Sequence, residues 1–197
     1  LTNGASRRYK KRIGPETGDP RAFADFEEFR SAYKAQLSFM MKHFSAATDI
    51  FERVTADLLP TPFESSLIKD CIARGKSRED GGARFNFRTV IGAGSSDAGD
   101  SLAAVRKLVF EEKKISMDDL CRALDADFAG YDDQRRLLCA APKFGNDIDY
   151  VDSIVNDILE FASSVLDRYE GIAETKHTLA AMAGTGIFVM GSKVGAL

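Results

Sequence analysis

The 197-residue sequence has few cysteines and histidines and no long apolar run. Its three cysteines are an odd, widely spaced set, which excludes a disulfide framework and lacks metal-ligand spacing. It has two histidines, His43 and His177, and their spacing builds neither a Ser-His-Asp arrangement nor a metal cluster. No apolar run reaches the about 20 residues that cross a bilayer, and the first residues do not resemble a secretory signal. We therefore predict a cytoplasmic protein with reduced thiols, no bound metal and no membrane contact.

The charge pattern is that of an ordinary globular chain. The sequence is 44% apolar and 29% charged, with a formal net charge of −3. Lysine and arginine are spread along it, apart from one basic cluster at residues 7–12. Such a short cluster is typical of a solvated loop rather than an arm that binds nucleic acid. We predict no nucleic-acid partner.

Apolar periodicity predicts a mainly helical chain. Asp25, with Glu28 three residues later, has the pattern of a capping box. Apolar residues then recur every three or four positions as far as Leu58, which predicts one bent helix or two successive helices before Pro60. A second helix is predicted to end at Gly75. This second helix covers Phe63–Arg74. Four further helices are predicted at Asp100–Lys113, Asp118–Asp127, Asp133–Ala140 and Asp149–Tyr169.

Two segments far apart in the sequence have the pattern of strands. Arg84–Ile91 alternates polar and apolar residues, and Gly186–Met190 is a short apolar run typical of a buried strand. Two strands do not make a stable sheet alone. The sequence also lacks an initiator methionine and stops within a pattern, so we expect an excerpt of a longer polypeptide. The predicted fold class is α/β, as a mostly helical fragment.

The turn Gly92–Gly99 follows the first predicted strand and precedes a helix, as a dinucleotide-binding turn does. Asp97 replaces the third glycine of that motif, and Asp100 adds a second negative charge. Because helix N-termini favour anions, we interpret these acids as caps. A non-catalytic helical binding or scaffold module that uses residues 92–99 to bind an anion stays as the alternative function.

Six blocks along the chain resemble, in the same order, those of the pyruvate formate-lyase-like glycyl radical enzymes. The blocks are Ile13–Pro20, Leu59–Phe63, Gly81–Phe87, Asp100–Lys114, Ala141–Asp147 and Phe188–Leu197. The resemblance implies that residues 1–197 are part of a ten-stranded α/β barrel domain, incomplete at both ends. It implies radical cleavage of a C–C, C–O, C–N or C–S bond in a small organic substrate under anaerobic conditions. It also implies a homodimer and a radical S-adenosylmethionine activating enzyme as partner.

The two loops that carry the family's radicals do not occur in this sequence. The resemblance calls for a cysteine in a Gly-Cys-Val-Glu-like loop and a glycine in an Arg-Val-x-Gly-Tyr-like loop. Cys71, Cys121 and Cys139 instead lie in predicted helices, and we expect all three to be buried packing residues. We therefore assign no catalytic residue here, expect the radical-bearing glycine outside this chain and expect the segment to be inactive alone. A decayed homologue that keeps the fold without the chemistry is a third possibility.

Two zones are predicted to face the substrate. The resemblance places the strand-to-helix turn at the mouth of the barrel, where Ser95, Ser96 and Asp97 would supply polar contacts. In the final strand, alternate residues point into the lumen, which selects Thr185 and Ile187. An orientation of His177 toward the barrel interior is left open.

Overall fold

The computed structural model describes residues 2–6, 9–169 and 175–181 as a mainly helical α/β structure. These residues form two compact units. The first unit comprises residues 2–6, 9–37 and 94–161, and the second comprises 38–93, 162–169 and 175–181. The helices are α1 (Phe26–Leu58), α2 (Pro62–Leu67), α3 (Cys71–Arg74), α4 (Ser95–Val105), α5 (Met117–Asp125), α6 (Asp132–Ala140) and α7 (Asp149–Asp167). The strands are β1 (Ala5–Ser6), β2 (Lys11–Arg12), β3 (Phe87–Gly92) and β4 (Lys176–Ala181).

Helix α1 begins as its capping pattern predicts. The Asp25 carboxylate accepts a hydrogen bond from the Glu28 backbone N–H at 2.9 Å, and the Glu28 carboxylate accepts one from the Ala24 N–H at 2.8 Å. These bonds satisfy N–H groups that have no partner within the helix. Of the two predicted alternatives, the structure has a single helix of 33 residues. Among the described helices, none is long and apolar enough to cross a membrane.

The predicted helix Phe63–Arg74 is wrong as one element. It is interrupted after α2, because Ile68 has an extended backbone and Asp70 has a φ of 75°, in the left-handed region that a non-glycine residue cannot maintain through a helix. The predicted end is confirmed, since Gly75 follows α3 with a φ of 62°.

The core of the first unit is built from the predicted apolar stripes. Helix α4 continues into a π-helical turn, Arg106–Glu111, and the two present one buried face. At Gly99 the helix comes so close to α7 that an added Cβ would lie 2.2 Å from the Val155 side chain. Glycine is therefore required at this crossing. The buried core residues include Phe26, Phe29, Leu102, Val105, Leu108, Leu120, Val151, Ile154 and Ile158.

The second unit contains a parallel pair of strands, β3 and β4, with Arg88 opposite His177 and Thr89 opposite Thr178. The predicted strand Arg84–Ile91 overlaps β3 but begins three residues too early. Strand β4 was not predicted, because its sequence Lys-His-Thr-Leu-Ala-Ala lacks a clear apolar run. The predicted strand Gly186–Met190 lies outside the described residues, as do Thr185 and Ile187. In the first unit, β1 and β2 form a short antiparallel pair ahead of α1.

Candidate functional site

The two faces of the β3–β4 pair differ in what covers them. On one face Arg88 and His177 are buried, with 5% and 3% of their surfaces exposed. On the other face Phe87 and Ile91 are 56% and 54% exposed, and Thr89 lies between them. Alternation along a strand explains this division, because successive side chains point to opposite faces. The pair therefore has a covered face and an open face.

The covered face is held by a buried polar cluster around Asp49 of α1. Arg88 forms ion pairs with Asp49 and with Glu52, which lies one turn further along α1. The Tyr169 hydroxyl donates a hydrogen bond to the second Asp49 oxygen at 2.8 Å. The His177 Nε2 lies 3.3 Å from Asp49 Oδ1. The Asp49 carboxylate thus holds both strands against α1.

The electrostatics of this cluster follow from burial. Burial lowers the pKa of Arg88, although the neighbouring Asp49 carboxylate opposes that change. Burial also raises the pKa of Tyr169, and its hydrogen bond to Asp49 raises it further. His177 lies on this covered face, with its ring 4.8 Å from that of Tyr169. His177 therefore points toward α1, and its orientation relative to a barrel interior stays a prediction.

In the first unit, Ser95, Ser96 and Asp97 form the first turn of α4, so the helix begins five residues before the predicted start at Asp100. Gly94 precedes it with a φ of 79°, and no side chain caps the helix. Asp97 lies in the first turn, where its negative charge complements the helix N-terminus as interpreted, whereas Asp100 lies in the second turn and does not cap the helix. Asp97 is exposed in the first turn, where its negative charge disfavours a bound anion.

Asp100 instead connects two of the blocks that define the resemblance. Its carboxylate accepts a hydrogen bond from the Phe144 backbone N–H at 2.7 Å. This bond fixes the loop between α6 and α7 against α4, within the first unit. The sequence showed both blocks but gave no sign that they contact each other.

The cysteines divide by burial. Cys71 and Cys121 are buried, as predicted, whereas Cys139 is exposed. The prediction for Cys139 is wrong because α6 buries none of its residues.

His43 lies on the surface of α1, where its ring nitrogen Nδ1 donates to the Phe39 carbonyl at 2.9 Å. Among the residues that the structure describes, no three His, Cys, Asp or Glu side chains are grouped to hold a metal ion.

The first unit also contains a cleft of about 390 Å³ with an apolar floor. Asn3 shapes its rim, because its side-chain oxygen accepts hydrogen bonds from the Thr17 and Gly18 N–H groups at 2.6 and 3.0 Å. Tyr33 also lines the cleft, and burial raises its pKa. The bonds of Asn3 thus order the residues that precede α1 along one side of the cleft.

Comparison with known proteins identifies relatives over nearly the whole chain. The family model described as pyruvate formate lyase-like matches residues 1–191. Trans-4-hydroxy-L-proline dehydratase of Clostridioides difficile is 43% identical over 159 residues, which are 80% of this chain and 20% of that protein. Isethionate sulfite-lyase of Desulfovibrio desulfuricans is 40% identical over 174 residues, which are 86% of this chain and 21% of that protein. The chain thus spans about a fifth of the length of these curated relatives.

Solved structures show the same fold. The Clostridioides difficile hydroxyproline dehydratase, with trans-4-hydroxy-L-proline bound, matches with a TM-score of 0.88 and 37% identity, over 92% of this chain and 23% of that chain. The B12-independent glycerol dehydratase of Clostridium butyricum, with glycerol bound, matches with a TM-score of 0.85 and 37% identity, over 90% of this chain and 22% of that chain. The predicted α/β class, as a mostly helical fragment of a larger fold, is confirmed.

Proposed function

Since this chain belongs to the pyruvate formate lyase-like family, we propose that it forms part of the catalytic domain of a glycyl radical enzyme. The reaction would remove a small group from a small organic molecule by cleaving a C–O or C–S bond. The relatives support this reaction class, because they are named as dehydratases and a sulfite-lyase. The observation that carries the proposal is the match of residues 1–191 to the family model. C–C or C–N cleavage, and acyl transfer of the formate acetyltransferase type, are the remaining options.

The segment would supply part of the wall of the barrel rather than its radical chemistry. Residues 1–197 would form a partial barrel domain, in which β3 and β4 are neighbouring strands of the barrel and α1 packs outside them. Cys71 and Cys121 are buried, and neither they nor Cys139 have the sequence context of the family's radical cysteine. The reactive cysteine and the radical-bearing glycine would therefore come from polypeptide outside these residues.

The polar first turn of α4 is the substrate-contacting zone that we propose in the first unit. Ser96 and Asp97 are exposed there and Ser95 is partly exposed, so all three can reach a small polar molecule. Thr185 and Ile187 are proposed as further contacts on the sequence pattern alone. The complete protein would work as a cytoplasmic homodimer that a radical S-adenosylmethionine enzyme activates. Membership of the family supports the dimer and the activating enzyme.

The test is anaerobic activation of the complete polypeptide that contains this segment. The protein would be incubated with a radical S-adenosylmethionine activating enzyme, reductant and S-adenosylmethionine, and examined by electron paramagnetic resonance. We expect a glycine-centred radical signal that requires S-adenosylmethionine and disappears in air. Product formation from glycerol, propane-1,2-diol, trans-4-hydroxy-L-proline and isethionate would then be measured. A complete protein that forms no radical and converts none of these compounds would contradict the proposal.

A further inference from the structure

The open face of the β3–β4 pair carries two hydroxyl groups side by side. Thr89 and Thr178 are directly opposite in the parallel register, and their Oγ1 atoms lie 3.4 Å apart. Phe87 and Ile91 flank Thr89 on β3, and Ala180 lies opposite Ile91. The result is a polar pair framed by apolar side chains, which is the usual composition of a small-molecule site.

The direction of this face follows from the buried cluster on the other side. Arg88 and His177 point toward α1, where Asp49 binds both. In a barrel ringed by helices, the face packed against a helix is the outer face, and the alternate residues point inward. Thr89 and Thr178 are thus on the inner face. This step rests on the proposed function, because it requires the complete protein to close the barrel.

The chemistry of the pair favours an uncharged hydroxyl group as its ligand. Each threonine hydroxyl can donate one hydrogen bond and accept others, so two adjacent hydroxyls match a group that both donates and accepts. A sulfonate or carboxylate buried in this place would need a cation. Arg88 cannot serve, because it points to the covered face and is paired with Asp49 and Glu52. Lys176 is on the open face, but it lies opposite Phe87 at the amino end of the strands.

We propose that Thr89 and Thr178 together bind a hydroxyl group of the substrate and direct the enzyme toward small neutral polyols. Ala180 and Ile91 would lie next to the carbon skeleton of the bound molecule. The smallness of Ala180 leaves room at this position, and in the closed barrel the apolar frame would exclude water from the hydroxyl pair. Anionic substrates such as isethionate would be poorer, because the cation described on this face, Lys176, lies at the amino end of the strands and not at the hydroxyl pair.

The test uses the complete, activated enzyme and three variants. Thr89→Val and Thr178→Val keep the branched shape but remove one hydroxyl each, whereas Thr89→Ser keeps the hydroxyl. We expect each valine variant to lose about tenfold in kcat/KM for glycerol, mainly through KM, because one hydrogen bond to the substrate is lost. Thr89→Ser should retain most of the activity. Radical content, measured by electron paramagnetic resonance, should be unchanged in all three.

A matched control is available on α1. Thr48 donates its hydroxyl to the Phe44 carbonyl within the helix, at 2.9 Å. Thr48→Val therefore makes the same chemical change away from the open face and should leave kcat/KM unchanged.

The outcomes separate the two proposals. If the wild-type enzyme forms no radical and converts no compound, the proposed function is wrong and this inference is wrong with it. If the wild-type enzyme is active but both valine variants keep their kcat/KM within twofold, only the threonine assignment is wrong. Conversion of isethionate in preference to glycerol and propane-1,2-diol would overturn the assigned substrate class.

Discussion

Replacing Arg88 by Met should loosen the β3–β4 pair from α1 more than any single surface change. The substitution keeps much of the side-chain volume but leaves the Asp49 carboxylate, which belongs to a residue only 6% exposed, without its cation. Removing one partner of a buried ion pair costs about 3–5 kcal/mol. Asp49 keeps hydrogen-bond partners in Tyr169 and His177, so the low end, about 3 kcal/mol, applies.

The second carboxylate of this cluster adds little to that estimate. The Glu52 side chain is 35% exposed, so water can solvate it when Arg88 is gone. An ion pair this accessible contributes about 1 kcal/mol or less. The double replacement Asp49→Asn with Arg88→Met removes both buried charges and should recover most of the loss, because a neutral amide can still bond Tyr169.

Hydrogen exchange of the complete protein, followed by mass spectrometry, measures this effect locally. A loss of about 3 kcal/mol corresponds to roughly 100-fold faster exchange in peptides that cover β3 and β4. Arg122→Met is the control, because Arg122 pairs with Asp118 on the surface of α5, where such a pair contributes about 0.5 kcal/mol. Equal exchange rates of β3 and β4 in the Arg88 and Arg122 variants would refute the reasoning. A double variant in which these strands exchange as fast as in Arg88→Met would refute it too.

Two further predictions concern the first unit. Gly99→Ala should destabilise the protein by about 1–3 kcal/mol, because the new methyl group would overlap Val155 Cγ2, and Val155→Ala on that background should recover most of the loss. Burial opposes ionisation of Asp157, but bonds from Lys34 at 2.6 Å and Arg30 at 2.9 Å outweigh it and lower its pKa. A lowered folded pKa gives stability that is present above the unfolded pKa and lost as pH falls through the folded value. Asp157→Asn should therefore flatten the loss of stability below about pH 4.

Each of these variants has a control in the same unit. Ser96→Ala, on the exposed side of α4, should change the urea midpoint little, whereas Gly99→Ala should lower it. Asp133→Asn, whose side chain is 80% exposed, should leave the acid dependence of unfolding as it is in the wild type. A Gly99→Ala variant with wild-type stability would contradict the close contact. An unchanged acid slope in Asp157→Asn would contradict the ion-pair argument.

The sequence predicted best where one local rule decides the outcome. The start of α1 follows from Asp25 and Glu28, and the buried stripe of α7 follows from apolar spacing. Strand β4 was missed because its apolar residues are few and because its position depends on pairing with β3. Each residue of β4 lies 89 positions after its partner in β3. The left-handed backbone of Asp70 was missed because aspartate adopts this conformation at single positions, which apolar periodicity does not mark.

The site could be predicted only in part, for a related reason. The alternation in β3 marks Thr89 and Ile91 as residues of one face, but the sequence alone does not say which face α1 covers. That choice depends on Arg88 reaching Asp49, a contact across 39 residues that brings two charges out of water. Once this ion pair fixes the covered face, the register with β4 places a second hydroxyl next to Thr89. The buried charges thus determine which strand side chains stay on the open face, where we propose that the substrate binds.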